Sequence, residues 1–291
     1  MARAPTLLLL LLFFFFLHAL AVLGEVALFS HIKSTLSRGE SLSNNGSTLT
    51  LQSDCDLVLR NANNMIVWNS GSVDNGVDCI FWVGKYGVAI VSDVDGSPLW
   101  TTGSPSPRGN YAIILRPDGT LRMYGPSIWT FLGSSSSNGS STDTDASVSD
   151  QLTVASAPSI DSSGHIMYSS EEFIDRPSVG VLLKRGNFSL VVETACKIHI
   201  RHNHDLEAAA SCTEGEVKGS AAPTCKSQLT TDGQLAAYKR IFPDDGGLDD
   251  VWLRTWGSDY TIVTKESVAA LIDRGATGEL LIYPTKQTLA A

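Results

Sequence analysis

Beyond its first two dozen residues, the chain is written in short runs that alternate apolar and polar side chains, separated by Gly, Asn, Asp and Pro. That period of two is the mark of half-buried strands joined by tight turns. Helical periodicity is scarce. In the stretch Leu51 to Arg60, a strand would turn Leu51, Cys55, Leu57 and Leu59 into a core. It would then present Gln52, Asp54, Asp56, Val58 and Arg60 on the other face. The unit recurs: Trp68, Trp100 and Trp129 close strand-like segments at intervals of about 30 residues.

The second half repeats the theme. Cys55-Asp-Leu-Val-Leu-Arg60 is echoed by Cys196-Lys-Ile-His-Ile-Arg201, and Gly-x-Leu-x-x-Tyr occurs at Gly119–Tyr124, Gly233–Tyr238 and Gly278–Tyr283. Between the halves, residues 133–158 are rich in Ser, Gly and Thr, too polar to form a core and typical of a linker. The expected organisation is a leader over 1–24, one domain over 25–132, the linker over 133–158, and a second domain over 159–291.

Composition narrows the partners. The 291 residues suit two domains, and 43% hydrophobic residues against 18% charged ones can fill two cores. A net charge of −9 argues against nucleic acid, which requires a basic footprint. Arg3, the apolar run Leu7–Leu17 and the small residues Ala19-Leu20-Ala21 make a secretory leader, cut there or after Gly24. No later segment has the roughly 20 apolar residues of a spanning helix. A secreted or vacuolar protein with no membrane attachment after leader removal is the expectation. That route makes Asn45, Asn138 and Asn187 readable as glycan acceptors and lets cysteines oxidise. Cys55 and Cys79 are the expected first pair, closing a loop that stabilises the fold by about 3 kcal/mol in the chain-entropy model. Cys196 pairs with Cys225 by analogy, with Cys212 as the rival partner and the odd count leaving one thiol over.

The nonapeptide Gln52-Ser-Asp54-Cys-Asp56-Leu-Val58-Leu-Arg60 resembles the sugar-binding signature of the bulb-type, mannose-binding lectins of monocots, in which alternate positions are Gln, Asp, Asn, Val and Tyr. The resemblance implies an all-β fold of two type II β-prism domains, each built from three four-stranded antiparallel sheets about a pseudo-threefold axis with one potential mannose pocket per sheet. It implies that Asp and Asn grip the 2-hydroxyl, Gln and Tyr reach neighbouring hydroxyls, and Val packs on ring carbons. Such a site needs no metal, cofactor or catalytic group. It also implies a homodimer or a tandem heterodimer, since members of the family dimerise by exchanging C-terminal strands; here the strand around Leu280–Tyr283 could do so.

Six copies of the signature can be laid out. The first keeps Gln52, Asp54 and Val58, with Asp56 for asparagine and Arg60 for tyrosine; the two carboxylates are expected to share a patch that Arg60 could neutralise. The second falls on Val83, Lys85, Gly87, Ala89 and Val91 and keeps nothing. The third, Arg116, Asp118, Thr120, Arg122 and Tyr124, keeps the aspartate and tyrosine. In the second half, Glu193, Ala195, Lys197, His199 and Arg201 carry no sugar grip. Thr230, Asp232, Gln234, Ala236 and Tyr238 form the better copy, with Gln234 offering an amide. The last, Gly275, Thr277, Glu279, Leu281 and Tyr283, keeps only tyrosine.

Other constellations carry less. His199, His202 and His204 near Cys196 and Asp205 do not converge on a strand into a tetrahedral set, so no metal is expected. Asp244-Asp245 and Asp249-Asp250 beside Gly246-Gly247 suit a solvated loop. With no nucleophile elbow, P-loop or dinucleotide fingerprint, an enzyme is not expected. The expectations are thus a secreted lectin for mannose-containing glycans or, alternatively, a lectin-fold protein that serves storage, defence or protein interaction without binding sugar.

Overall fold

A computed structural model describes residues 25–32, 34–73, 78–134, 164–169, 174–176, 180–192, 196–202, 225–241, 251–257 and 266–290. Every described element is a strand, and every pairing is antiparallel. The first half contributes β1 (Ala27–Phe29), β2 (Thr35–Ser37), β3 (Ser41–Asn44), β4 (Ser47–Leu51), β5 (Leu57–Arg60), β6 (Ile66–Asn69), β7 (Ile80–Val83), β8 (Ala89–Ser92), β9 (Pro98–Thr101), β10 (Ala112–Leu115), β11 (Leu121–Tyr124) and β12 (Trp129–Ser134). The second contributes β13 (Ile166–Tyr168), β14 (Ile174–Arg176), β15 (Gly180–Arg185), β16 (Phe188–Val192), β17 (Ile198–His202), β18 (Cys225–Leu229), β19 (Leu235–Ile241), β20 (Val251–Gly257), β21 (Ser267–Asp273) and β22 (Thr277–Ala290).

These strands make two β-prisms. In the first, sheets β3-β4-β5-β6 and β2-β7-β8-β9 stand beside β1-β10-β11. Their inner faces meet in one core, where Leu42, Leu49, Leu57, Leu59, Phe81 and Ile113 are wholly buried. In the second, β14-β18-β19-β20, β15-β16-β17 and β13-β21-β22 enclose Phe188, Leu190, Leu271 and Leu280. The expected all-β, two-prism architecture is therefore what the chain adopts, with β15-β16-β17 three-stranded among the described residues.

One turn is stamped repeatedly into the sheets. In each, the N–H of the first residue donates to the carbonyl of the fifth and the N–H of the fourth donates to the carbonyl of the first, as at Gln52–Asp56, Gly84–Val88, Asp93–Ser97, Arg116–Thr120 and Thr230–Gln234. The fourth residue is left-handed: Cys55 at φ 67°, Gly87 at 63°, Gly96 at 85°, Gly119 at 81° and Gly233 at 84°. A tight turn closed by a left-handed residue twists the chain in the sense that antiparallel strands need. At Gly87 the conformation is doubly enforced, because an added Cβ would meet the buried Tyr111 ring at 2.5 Å.

The two prisms are interlocked. Trp68 and Trp100 meet edge to face at 5.5 Å on the first core. Trp129 does not join them: β12 crosses over and pairs with β22 from Trp129↔Ile282 to Ser134↔Thr277, so Trp129 and Phe131 pack on the second core. Reciprocally, the end of the 14-residue β22 leaves the second prism and pairs with β11 through Leu121↔Ala290 and Tyr124↔Thr285, placing Leu289 on the first core. Strand exchange expected between separate chains thus occurs between the halves of one chain. It carries 129–134 and 285–290 across the domain limits set from sequence, and Gly133 and Ser134 extend a strand where the linker was expected to start. The outer faces of the exchanged sheets then press together. Phe29, Ala112, Ile114 and Tyr124 from one side and Ile166, Val268, Ala270, Leu281 and Tyr283 from the other form a third buried cluster.

Candidate carbohydrate-binding site

The first copy of the signature is a turn followed by a strand. Gln52 to Asp56 form the tight turn, with Gln52 N–H donating to Asp56 O at 2.8 Å and Cys55 N–H to Gln52 O at 3.1 Å, and only Leu57–Arg60 is strand. This corrects the expectation of one continuous ribbon. The left-handed Cys55 rotates the chain between Asp54 and Asp56, and their carboxylates separate. Asp54 stays half-buried, its Oδ1 accepting the Asp56 N–H at 3.2 Å. Asp56 turns inward and is 3% exposed. Its Oδ1 accepts from the Ser70 hydroxyl at 2.8 Å, the Gly71 N–H at 2.9 Å and the Ser72 N–H at 3.3 Å. The expected shared carboxylate patch is absent: Asp56 clamps the chain leaving β6 to the start of β5. Arg60 neutralises neither acid; its Nη1 donates to Asn64 O at 3.2 Å.

What remains outward around this turn is the Gln52 side chain, the second oxygen of Asp54, and Arg60, with Val58 as a floor at 2% exposure. Gln52 and Asp54 are half-buried, and among the described residues no side chain hydrogen-bonds to either. These groups can still meet paired hydroxyls as acceptors and amide donors.

The equal spacing of the turns fixes the other copies. Gly84 corresponds to Gln52, so the second copy is Gly84, Tyr86, Val88, Ile90 and Ser92, one residue on from Val83, Lys85, Gly87, Ala89 and Val91. Val83, Ala89 and Val91 are buried core positions. A one-residue slip exchanges the two faces of a strand, which is why the sequence placement picked the inner face. The corrected copy still lacks a polar grip. Backbone bonds from Ser106 to Tyr86 O and from Gly109 to Lys85 O lay the 103–110 loop along its turn.

In the third copy Arg116 and Tyr124 are spent within the interface between the prisms, while Asp118 is exposed in the adjoining turn and 3.4 Å from Arg116. Tyr124 is wholly buried; its hydroxyl accepts from Arg116 at 2.9 Å and donates to Glu266 at 3.2 Å. Glu266 pairs with both Arg116 and Arg122, and the Arg116 guanidinium lies 4.7 Å over the Tyr168 ring. Burial raises the Tyr124 hydroxyl above its usual pKa, more than the two arginines lower it. Asp118 is tied to Thr120 N–H at 2.9 Å and Thr120 Oγ1 at 2.6 Å. Burial pushes its pKa up, but those bonds and the two arginines outweigh it and hold the carboxyl below the usual range. Asp118 and Tyr124, both expected to touch sugar, therefore serve the fold.

In the second prism, Asp232 accepts from the Thr230 hydroxyl, and Gln234 N–H donates to Thr230 Oγ1 at 3.0 Å. Gln234 and Tyr238 stand half-exposed over the buried Ala236, so this copy keeps an amide and a phenol at the surface. In the copy before it, Lys197 is exposed while His199 and Arg201 are half-buried, and Glu193 and Ala195 lie outside the described residues. In the last copy, Glu279, Leu281 and Tyr283 are buried between the prisms. Glu279 pairs with Arg274 and lies 3.9 Å from His31. Burial lowers His31 to a pKa of about 4, helped by Arg274 and Lys85, and raises both Glu279 and Tyr283.

The disulfides are Cys55–Cys79 and Cys196–Cys225, with Cα separations of 5.8 and 5.3 Å. The second resolves the choice left open by sequence; Cys212 lies outside the described residues, as do the leader, Asn138, His204, Asp205 and the acidic pairs near Gly246. With Cys196 oxidised, its thiolate is withdrawn from the histidine cluster. Asn45 and Asn187 sit exposed in turns, Asn45 donating through Nδ2 to Pro117 O at 3.1 Å. Sequence reasoning passed over the Ser70–Ser72 clamp, Glu266 and His31. A signal for the clamp existed: a hydroxyl stands two residues after Trp68 and two after Trp100, and Thr102 caps Ala89 N–H at 2.8 Å as Ser70 caps Leu57 N–H at 2.9 Å.

No protein-family model matches the chain. It is 40% identical over 95 residues to mannose-specific lectin 2 of Colocasia esculenta, a match covering 33% of this chain and 35% of that protein. The chain thus spans about a third of the length of such curated relatives. Among solved structures, the lectin of Remusatia vivipara is 39% identical over 37% of this chain and 93% of its own, with a TM-score of 0.33. The fetuin-binding two-domain agglutinin of Scilla campanulata aligns over 91% of this chain and 99% of its own, with 20% identity and a TM-score of 0.57. That last likeness extends over both prisms.

Proposed function

Since the chain belongs to the bulb-type lectin family, we propose that it is a carbohydrate-binding lectin that recognises mannose-containing glycans through the Gln52–Arg60 turn and strand. The observation that carries this is the contrast among copies: Gln52 and Asp54 keep side-chain groups uncommitted at the surface, whereas Tyr124, Glu279 and Tyr283 are buried. Relatives named as mannose-specific support the choice of sugar. Lectins of this kind bind without transforming their ligand, so no catalytic role is assigned. Thr230–Tyr238 is the second candidate pocket. A single shallow pocket of this type binds a monosaccharide at around millimolar Kd, and useful avidity comes from several pockets on one assembly. A secreted or vacuolar setting suits the leader and the disulfides, with Asn45 and Asn187 as exposed glycan acceptors.

The rival reading is a lectin-fold protein with no sugar ligand, serving storage, defence or protein interaction. It is favoured by the inward Asp56 and by the two copies consumed between the prisms. Retention of the mature protein on immobilised mannose, release by free mannose, and loss of retention in Asp54→Ala support the lectin. Passage of the wild-type protein through the column unretarded removes the proposal and leaves the rival.

A further inference from the structure

The strands β3, β4, β5 and β6 read Ser-Leu-Ser-Asn, Ser-Thr-Leu-Thr-Leu, Leu-Val-Leu-Arg and Ile-Val-Trp-Asn. Arg60 is the only charged residue in all four. Register places its cross-strand partners on the same face: Thr48 beside Arg60, Ser43 beside Thr48, and Thr50 with Ser41 beside Val58. Ser41 and Thr50 share a hydrogen bond at 2.7 Å. The outer face of β3 to β5 is therefore hydroxyl-rich and carries one cation, with the exposed Ile66 of β6 on the other side of Arg60.

The guanidinium is underused. It spends one N–H on the Asn64 carbonyl, and among the described residues no carboxylate pairs with it. Asp56, which sequence set beside it, is folded inward against Ser70–Ser72. Asp54 stands in the turn at the opposite end of the strand, separated by Val58. The site is thus dipolar: acceptors and an amide at Gln52 and Asp54, a planar five-donor cation at Arg60. A tyrosine hydroxyl at that position could only exchange single hydrogen bonds with a neutral hydroxyl. A guanidinium matches a planar oxyanion through two parallel bonds and is matched poorly by an alcohol.

We infer that the first site prefers an acidic hexose, a hexuronate whose ring hydroxyls meet Gln52 and Asp54 while its carboxylate meets Arg60, over neutral mannose. This rests on the lectin reading of the same site and names its ligand class.

The test is calorimetry on the full mature chain with methyl α-mannoside, D-mannuronate, D-glucuronate and acetate. Mannuronate is expected to bind roughly tenfold tighter than the mannoside at low salt, with the advantage shrinking as salt rises. In Arg60→Gln the ratio of the two affinities falls to about one, and in Arg60→Tyr it inverts in favour of mannose. Asp54→Ala weakens both sugars. Equal or weaker binding of mannuronate by the wild type, or an unchanged ratio in Arg60→Gln, overturns the inference and leaves a mannose lectin standing. Acetate competing as well as mannuronate also overturns it, since that describes a bare anion contact. Glucuronate binding as tightly as mannuronate would keep the acidic preference and release the 2-hydroxyl from the recognition. Binding of no sugar at all sinks the lectin reading, and the inference with it.

Discussion

Replacing Asp56 by alanine separates a structural carboxylate from a sugar ligand. In the fold its Oδ1 is the shared acceptor for Ser70 Oγ, Gly71 N–H and Ser72 N–H, and Ser72 is 1% exposed. Gly71 is exposed and can turn its N–H to water, and Ser70 keeps its contact with Ser72 Oγ at 2.7 Å. The buried Ser72 N–H has no such escape. One stranded donor costs about 1–3 kcal/mol, and the lost bonds to a charged acceptor add to it, so Asp56→Ala should destabilise the first prism by about 3–4 kcal/mol. Asp56→Asn keeps an oxygen in the same place and gives up only the charge, costing about 1 kcal/mol. Urea unfolding followed by tryptophan fluorescence reports the difference through Trp68, which lies just before the clamp. A cost below about 1 kcal/mol for Asp56→Ala, together with loss of mannose retention, would refute the clamp and restore Asp56 to the sugar face where sequence put it.

Two further expectations follow from the interface between the prisms. A protease site placed in the serine-rich stretch after Ser134, within 135–158, should nick the chain without parting it. The exchanged strands hold six registered pairs between β12 and β22 and four between β11 and β22, a gross ladder on the order of 10 kcal/mol before the cost of association. The nicked halves should co-elute at micromolar concentration on size exclusion, and separate elution would contradict the exchange. His31 supplies a pH signature. Its pKa falls from 6.5 to about 4 on folding, so between those values the unfolded chain binds more protons and stability declines as pH drops. The full shift is worth at most about 3 kcal/mol, and about 1–2 kcal/mol with a discount for solvent screening; the side chain itself is 4% exposed. Between pH 7 and pH 4 the urea midpoint of the wild type should fall further than that of His31→Gln; parallel behaviour would contradict this.

Much of the architecture was legible in the sequence because it rests on local periodicity. Alternation identified the strands, Trp68 and Trp100 marked two sheets of the first core, the echo of Cys55 in Cys196 pointed to a second domain, and the family resemblance supplied the prism; Cys55–Cys79 was expected, while the partner of Cys196 stayed open between Cys225 and Cys212. What escaped was set by backbone handedness and by distant partners. The left-handed Cys55 is invisible in an alternation pattern, so Asp56 was assigned to the wrong face. The second copy slipped by one residue because Val83, Ala89 and Val91 alternate as neatly as the outward set Tyr86, Val88 and Ile90. Asp118 and Tyr124 match a sugar signature locally, yet Glu266, 142 residues from Tyr124, claims that tyrosine. Trp129 looked like the third tryptophan of its own prism; the pairing that takes it elsewhere is decided by β22, far along the chain.

A lectin role for this chain requires that the Gln52–Arg60 turn and strand receive sugar. Titrating methyl α-mannoside into the isotope-labelled mature chain while recording backbone amide shifts addresses this directly. Saturable movement is expected at Gln52, Asp54, Val58 and Arg60, with Thr230–Tyr238 the only other responding segment and Tyr124 and Tyr283 still. Movement confined to other surfaces, or none at sugar concentrations well above millimolar, would contradict it.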